Sequence, residues 1–412
     1  MRDIVIIGGG MVGVSCALNL QERGYTPAII EKNRIGGETS YGNAGVITRS
    51  SIIPLNNPAL IKKLYKYVGN QNAAIRYNLS YAVRNSLSIT KFLLNSLDKK
   101  AAANMHALDQ LISHSLGEHE KWMSLSGASH HLRKTGFLKL YRSQGSFESS
   151  AFERQLLTQF GVKHRVVDSA EIQRLEPQLK DIFYNGVLIE DAASVDNPGE
   201  VVENYGQLFE ERGGDVLNTS VLGLREVNSG FLISTSQGSI EAKRVVISAG
   251  PWSQELLNSV GFKLPIFLER GYHYHFENNL NNVISRPILD ADGCYVMTPT
   301  SMGIRVSSGS ELNDRDRLSN VSQIDRVVKS AMMALDIDKK VDATAWRGSR
   351  PTLPDSLPAI GPVPGRENLW VACGHQHIGF STGPATGRLI ADMVSGNEPF
   401  VQAEPYLASR FQ

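Results

Sequence analysis

Ile4-Val5-Ile6-Ile7-Gly8-Gly9-Gly10-Met11-Val12-Gly13 runs four apolar residues into a glycine cluster, and Val14, Ala17, Leu18 and Leu20 then follow at helical spacing. The order reads as a buried strand, a tight turn and a helix. In a GxGxxG turn, Gly8 permits the sharp bend, Gly10 lets backbone N–H groups approach a pyrophosphate, and Gly13 lets the helix pack closely on the strand. A second apolar run, Ala28-Ile29-Ile30, ends at Glu31 about 20 residues on, where an acid can accept both hydroxyls of a ribose. Strand, turn, helix, strand and terminal acid in that order predict a dinucleotide site.

A chain of 412 residues exceeds what one hydrophobic core usually serves, so two domains sharing an interface are expected. The 42% apolar and 20% charged content is that of an ordinary globular protein. With 42 basic against 41 acidic side chains the net charge is +1, and nothing points to nucleic acid as a partner. Cys16, Cys294 and Cys373 are too scattered for a metal motif and too few for a disulfide framework, which suits a reducing, cytoplasmic compartment. The apolar start contains Asp3 and breaks at three glycines, so it is read as the nucleotide turn and not as an export signal. No run reaches the roughly 20 apolar residues that a membrane span needs.

Beyond Glu31, the stretch from Arg34 to Gly45 is dense in Gly, Ser, Thr and Asn, a loop suited to hold further phosphate oxygens and reach a redox ring. From Pro54 to about Gly127 the pattern is helical. Leu60, Leu64 and Val68, with Lys62, Lys63 and Lys66 beside them, make a basic amphipathic helix, read as a core stripe with a solvated back, with docking on a membrane surface as the alternative. Helices around Leu87 to Leu97 and Ala101 to Met123 read as packing elements; His106, His114 and His119 on them have no metal-ligand context and are expected to be solvated or capped.

The middle of the chain is strand-rich. Gly136 to Tyr141 alternates as a half-exposed strand, and Phe231 to Ser236 turns at Gln237-Gly238 into Ile240. Pro198 to Arg212 reads as a helix leading to Asp215-Val216-Leu217. Val245-Val246-Ile247 ends in Ser248-Ala249-Gly250-Pro251-Trp252, as where an open α/β sheet meets a ligand at the carboxyl ends of its strands. Tyr272 to Phe276 is another strand, and Cys294 to Met297 pairs across Ser301-Met302-Gly303 with Ile304 to Val306. Without an internal repeat or linker, the two domains are expected to be interleaved.

Trp346 to Gly361 reads as a loop pinned by Pro351, Pro354 and Pro358 and carrying Arg350. After the strand Leu369 to Ala372, the run from Gly374 to Gly387 leads into a helix through Leu389, Ile390 and Met393. Such a glycine-rich helix N-terminus offers unpaired N–H groups and a positive dipole end, suited to the negative charge of a reduced isoalloxazine.

These motifs together resemble the D-amino-acid oxidase and dehydrogenase superfamily of FAD enzymes, most closely its bacterial D-amino-acid dehydrogenases, with glycine oxidase and hydroxyproline dehydrogenase relatives. They are the glycine turn with Glu31, Thr39-Ser40 with Asn43-Ala44-Gly45, Ser248-Ala249-Gly250, Arg270-Gly271-Tyr272, the Cys294-Tyr295 strand, Gly348-Ser349-Arg350-Pro351 with Pro354-Asp355, and Gly374 to Gly387. The resemblance implies an α/β fold in which a Rossmann-like FAD-binding domain of glutathione-reductase type (1–53, 150–173, 194–262 and 341–412) is interleaved with an α+β substrate domain on a mainly antiparallel sheet (54–149, 174–193 and 263–340). It implies that FAD is held by Gly8, Gly10, Met11, Val12, Gly13, Glu31 and Lys32, and by Thr39, Ser40, Asn43, Ala44, Gly45 and Val46. The remaining implied cofactor contacts are Val221, Ala249, Gly250, Trp252, Gly348, Gly374, His377, Ile378, Gly379, Phe380 and Ser381. Attachment is expected to be non-covalent, because no cysteine lies between Cys294 and Cys373, where sarcosine-oxidase relatives carry one.

By the same resemblance Arg350 clamps a substrate carboxylate, Tyr295 adds a hydrogen bond to it, and Tyr272 is a further pocket position. His377 is expected either to line the pocket or to bond backbone near the flavin. Thr48-Arg49-Ser50-Ser51 departs from the dehydrogenase pattern, which has a tyrosine near that place; Arg49 faces either solvent or the pocket. The implied reaction is oxidative deamination of a D-amino acid, or of a D-proline-type imino acid such as cis-4-hydroxy-D-proline. Hydride passes from Cα to flavin N5, leaving an imine or a 2-oxo acid plus ammonia, with no dedicated general base required. No second GxGxxG appears, so electrons are expected to pass to oxygen, a quinone or another carrier, with the resemblance favouring a carrier and possible peripheral placement on the inner membrane. The alternatives are a glycine- or sarcosine-type oxidase, the flavin subunit of a heteromeric opine or hydroxyproline dehydrogenase, and an NAD-dependent dehydrogenase, which would not need the Gly374 to Gly387 helix start.

Overall fold

Arg2–Ile7 is the centre of a parallel sheet, with Pro27–Glu31 and then Asp215–Asn218 on one side and Gly238–Ile247 on the other. Leu369–Cys373 extends the parallel order beyond the end of Gly238–Ile247, and Ala359–Pro362 closes that edge antiparallel. Helices cover both faces, which is why these strands are apolar runs without alternation. The expected hairpin forms between Gly230–Thr235 and the first half of Gly238–Ile247, and Val221–Val227 adds a further antiparallel strand to its outer side. This computed structural model describes residues 1–67, 69–70 and 72–412.

The first helix, Met11–Glu22, packs along the C-terminal helix, Gly379–Val394, through glycines. A Cβ on Gly383 would stand 2.5 Å from Met11 Cγ, and one on Gly387 would stand 2.4 Å from the Ser15 carbonyl carbon. This close approach sets both helix N-termini at the carboxyl ends of the parallel strands, where both border one cleft.

A second sheet has ten strands among the described residues and is antiparallel apart from two pairings. Phe267–Phe276 runs through it, paired with Trp346–Thr352 on one side and with Gly303–Ser307 and Ser310–Leu312 on the other. Tyr295–Thr300 joins Gly303–Ser307 in the expected hairpin, and Ile288–Asp290, Phe137–Tyr141, Asn185–Ile189 and His164–Asp168 follow. Two segments lie differently from expectation. His164–Asp168 and Trp346–Thr352 belong to this sheet, although 150–173 and 341–412 are expected on the nucleotide side. The stretch read as a proline-pinned loop is therefore an edge strand up to Thr352; Pro351 fits there because an edge strand leaves one side of the backbone unpaired.

A small third sheet of Val46–Thr48, Ala192–Val195 and Leu132–Arg133 ties the glycine-rich loop to the rest of the chain. The helix expected from Ala101 to Met123 is two, Asp98–Ile112 and Ser115–Leu125. The basic run forms a helix, Pro58–Lys63, continuing as a 3-10 turn, Leu64–Tyr67; Val68 and the side chains of Lys62, Lys63 and Lys66 lie outside the described residues. Among the described residues no helix is long and apolar enough to cross a membrane.

Candidate active site

The cleft begins at the glycine turn. Gly8 has φ +113°, and a Cβ there would sit 2.6 Å from the Ser248 carbonyl oxygen. A Cβ on Gly13 would come within 1.9 Å of the Gly8 carbonyl oxygen, so the helix can lie on the turn only without one. Gly10 differs: the nearest neighbour of its missing Cβ is Ser40 Oγ at 3.3 Å, and the open space is the cleft itself. Ser40 Oγ accepts from the Met11 N–H at 3.0 Å, joining the turn to the loop. The Glu31 carboxylate accepts from the backbone N–H of Gly9 at 2.7 Å and of Asn33 at 3.0 Å, which fixes it in the cleft wall. Val12, Val221, Ala249, Gly250 and Trp252 line the same space; the Lys32 ammonium lies 3.5 Å over the Trp252 ring and pairs with Glu38.

Thr39 and Asn43 border both this cleft and a larger apolar cavity beyond it. Thr39 Oγ1 donates to the Ser349 carbonyl at 3.1 Å, and Asn43 Nδ2 donates to the His377 carbonyl at 3.2 Å. Arg305, wholly buried, holds the loop from behind by donating to the carbonyls of Tyr41 and Asn43, while its Nε donates to His275. Burial pushes the Arg305 guanidinium down to about 10. The role of Arg305 is not signalled in the sequence, because nothing local marks which loop a strand arginine will reach.

The C-terminal helix starts at the junction. Its N-cap, Ile378, supplies no side-chain cap; Gly379 and Phe380 border the cleft, while Ile378 and Ser381 border the cavity. Pro384 inside the helix has no N–H for the Phe380 carbonyl, and His119 Nε2 donates to that carbonyl at 2.9 Å instead. Burial pushes His119 down to about 4, so it is neutral. The expectation that His119 is solvated or a cap is thus corrected: it replaces a missing helix hydrogen bond, and Pro384 is the signal that one was needed.

Arg350 reaches into the cavity. Its cross-strand neighbour is Glu269, and Ser310 lies between them: Arg350 Nη1 donates to Ser310 Oγ at 3.3 Å, and Ser310 Oγ donates to Glu269 at 2.6 Å. Thr352 Oγ1 donates to the other Glu269 oxygen at 2.6 Å, and Arg350 has no ion pair among the described residues. Burial pulls the Arg350 pKa down, opposed by the Glu269 charge. Gly271 makes room for the fork, since a Cβ there would lie 2.5 Å from Arg350 Nη2. His377 borders the same cavity, and burial first, then the Arg350 and Lys139 charges, push it down to about 4. Phe92, Phe137, Phe267, Leu289 and Val296 supply apolar wall; Ala44, Val46 and Gly348 lie along it.

Tyr272 borders the cavity as expected, but strand parity turns its ring, like that of Tyr295, to the far side of the sheet. Glu269, Gly271 and His273 face the cavity, so Arg270, Tyr272 and Tyr274 point to the opposite face of the sheet. The Tyr272 hydroxyl donates to Glu311 at 2.6 Å, beside the buried Arg270–Glu311 pair, and cannot reach a carboxylate at Arg350. Cys294 and Val296 border the cavity while Tyr295 between them is packed in the core behind it, next to Asp290 and Arg142. Arg49 does not border the cavity: partly exposed, it bonds Asp109 and the Phe160 carbonyl, leaving Ser50 and Ser51 at the wall. Gly45 and Gly374, at φ +71° and +82°, shape turns without bordering either space; a Cβ on them would meet the Val195 carbonyl oxygen at 2.5 Å and Leu353 Cδ1 at 2.4 Å.

An unsubstituted glycine cradle, an acid at the end of the second strand and an uncapped helix N-terminus fit FAD extended from cleft to cavity. The family model described as "DAO: FAD dependent oxidoreductase" matches residues 3–393. The chain is 28% identical over 419 residues to a D-amino-acid oxidase of Bradyrhizobium diazoefficiens, covering 100% of this chain and 99% of that one. It is 26% identical over 425 residues to a D-amino acid dehydrogenase of Vibrio atlanticus, covering 99% and 100%. The crystal structure of glycine oxidase from Geobacillus kaustophilus shares the fold with a TM-score of 0.76 and 21% identity, over 99% of this chain and 98% of that one.

Proposed function

Because this chain belongs to the DAO family of FAD-dependent oxidoreductases, we propose that it oxidises the Cα–N bond of a D-amino acid to an imine, released as a 2-oxo acid and ammonia or as a cyclic imine. The observation that carries the reading is Arg350: a half-buried guanidinium without an ion pair among the described residues, in a largely apolar cavity, beside the helix start that borders the cleft. A planar fork in such a place suits a carboxylate. FAD supplies the hydride acceptor when bound.

The residues divide the remaining work. With the Met11 N–H already held by Ser40, the backbone N–H groups of Gly10 and Val12 would take the pyrophosphate, and Glu31 would take the ribose hydroxyls. The N–H groups of Gly379, Phe380 and Ser381 at the uncapped helix start would stabilise the negative charge that a reduced flavin carries. Arg350 fixes the carboxylate and so decides which face of Cα is presented. His377, neutral at pH 7, accepts a hydrogen bond from the substrate amine without adding a positive charge that would oppose loss of hydride. The aromatic and aliphatic wall favours an apolar side chain or a proline-type ring, such as cis-4-hydroxy-D-proline, over glycine.

A carrier such as a quinone is the favoured acceptor, reached at a peripheral site on an anionic membrane surface. The helices Leu79–Arg84 and Ser86–Leu94 expose Leu79, Val83, Leu87 and Leu94, next to Ile89 and Phe92 of the cavity wall, and residues 54–100 hold eight Lys and Arg against one Asp. Co-sedimentation with anionic vesicles at low salt tests the placement, and absence of binding refutes it. For the reaction, the purified protein is incubated with single D- and L-amino acids and an artificial quinone. Formation of 2-oxo acid and ammonia from D-isomers is expected; turnover of L-isomers alone would overturn the assignment.

A further inference from the structure

The 3-10 turn Ala128–His131, which does not line the cavity, meets the helix Pro198–Glu211. One ligand atom from each of His130, His131 and Glu200 lies within 4.8 Å of the other two. Both imidazoles have their second nitrogen held by an acceptor. His131 Nδ1 donates to Asp196 Oδ1 at 2.6 Å, and His130 Nδ1 donates to the Gly127 carbonyl at 3.0 Å. Each therefore presents Nε2 as a lone pair, the orientation that a carboxylate or carbonyl behind the ring imposes on metal-binding histidines.

His131 is 4% exposed, and its Nε2 has no hydrogen-bond partner among the described residues. It points towards Glu200 Oε2 at 3.7 Å, too far for a hydrogen bond. Bonds of about 2.0–2.2 Å from a tetrahedral zinc would put two ligand atoms roughly 3.4 Å apart, so an ion between them needs little movement. His130 and Glu200 are exposed and can turn to close the set.

We propose that His130, His131 and Glu200 bind a zinc ion, with water as fourth ligand and Asp196 as the group that orients His131. Two imidazoles and one carboxylate suit zinc over calcium or magnesium, which prefer oxygen alone. The ion ties the Ala128 turn to the segment that supports the glycine-rich loop, where the Val195 N–H donates to the Gly45 carbonyl at 2.8 Å.

Purified flavin-loaded protein is treated with EDTA, dialysed and titrated with zinc chloride by calorimetry, with bound metal counted by elemental analysis and the thermal midpoint followed alongside. One zinc per chain and a raised midpoint are expected. Glu200→Gln and His130→Gln, both at exposed positions, each weaken binding by about tenfold or more; Asp196→Asn, removing the orienting group, weakens it by about tenfold. His114→Gln, at an exposed histidine on another helix, leaves it unchanged. Substoichiometric zinc, or affinity that neither Glu200→Gln nor His130→Gln alters, overturns the site.

Discussion

Replacing Arg350 by methionine keeps a long apolar stem and deletes the guanidinium. Arg350 is half-buried, its side-chain hydrogen bond among the described residues is the 3.3 Å contact to Ser310, and the cavity offers no carboxylate as an ion-pair partner within 4 Å among those residues. A substrate carboxylate would supply the missing partner. Truncating one side of a desolvated, hydrogen-bonded charge pair costs about 2–5 kcal/mol. At about 1.4 kcal/mol per factor of ten, kcat/KM should fall roughly thirtyfold to three-thousandfold. Glu269 keeps its bonds from Ser310 and Thr352, and the glycine cradle is untouched, so the variant should fold and stay yellow. Arg350→Lys retains the charge without the fork and should lie between. The assay is steady-state kinetics with a D-amino acid and a quinone dye, with flavin content measured on the same preparations. A kcat/KM within threefold of the wild type in a fully flavinated Arg350→Met protein would refute the clamp.

Gly271→Ala should raise KM while leaving the thermal midpoint nearly unchanged, because its Cβ displaces only the far end of the Arg350 side chain; roughly tenfold in kcat/KM is expected, and normal kinetics would show that the fork does not bind over Gly271. Gly10→Ala should yield a folded but flavin-poor protein, since its Cβ fills the space meant for the pyrophosphate, whereas Gly13→Ala should unfold the domain because its Cβ strikes backbone; absorbance and circular dichroism separate the two. Five histidines, four buried and His377 half-buried, have depressed pKa values: His119 and His377 at about 4, His375 at about 3, His273 at about 2, and His275 also lowered by burial. The unfolded chain binds their protons near the ordinary 6.5 and the folded one does not, so stability is complete above that pH and falls below it by about 1.4 kcal/mol per pH unit per group. At pH 5 each of the first four contributes a loss of about 2 kcal/mol, and denaturation midpoints that stay level from pH 7.5 to 5 would contradict the burial; His119→Gln should make the fall shallower.

What the sequence made legible was local. The glycine turn, Glu31 and the C-terminal helix start each lie within one strand, turn and helix, and backbone rules set what they face. That Arg350 borders the cavity was legible, because an arginine beside a proline in a stretch free of acidic residues stands out. The direction of the Tyr272 and Tyr295 rings was not, for a physical reason: the second sheet is buried on both faces, so its strands carry no apolar-polar alternation to tell the cavity side from the core side. Side chains that act across long separations were invisible as well. Arg305 reaches Asn43 over 262 positions, and His119 reaches Phe380 over 261.

A D-amino acid seated on Arg350 should reduce a flavin held by the glycine cradle. Anaerobic addition of single D- and L-amino acids to the purified protein tests it, with absorbance followed near about 450 nm, where oxidised flavin absorbs. A yellow protein bleached within the mixing time by D-isomers and not by L-isomers is the predicted result. A colourless protein that takes up no added FAD, or a yellow one bleached by L-isomers alone or by no amino acid, would contradict it.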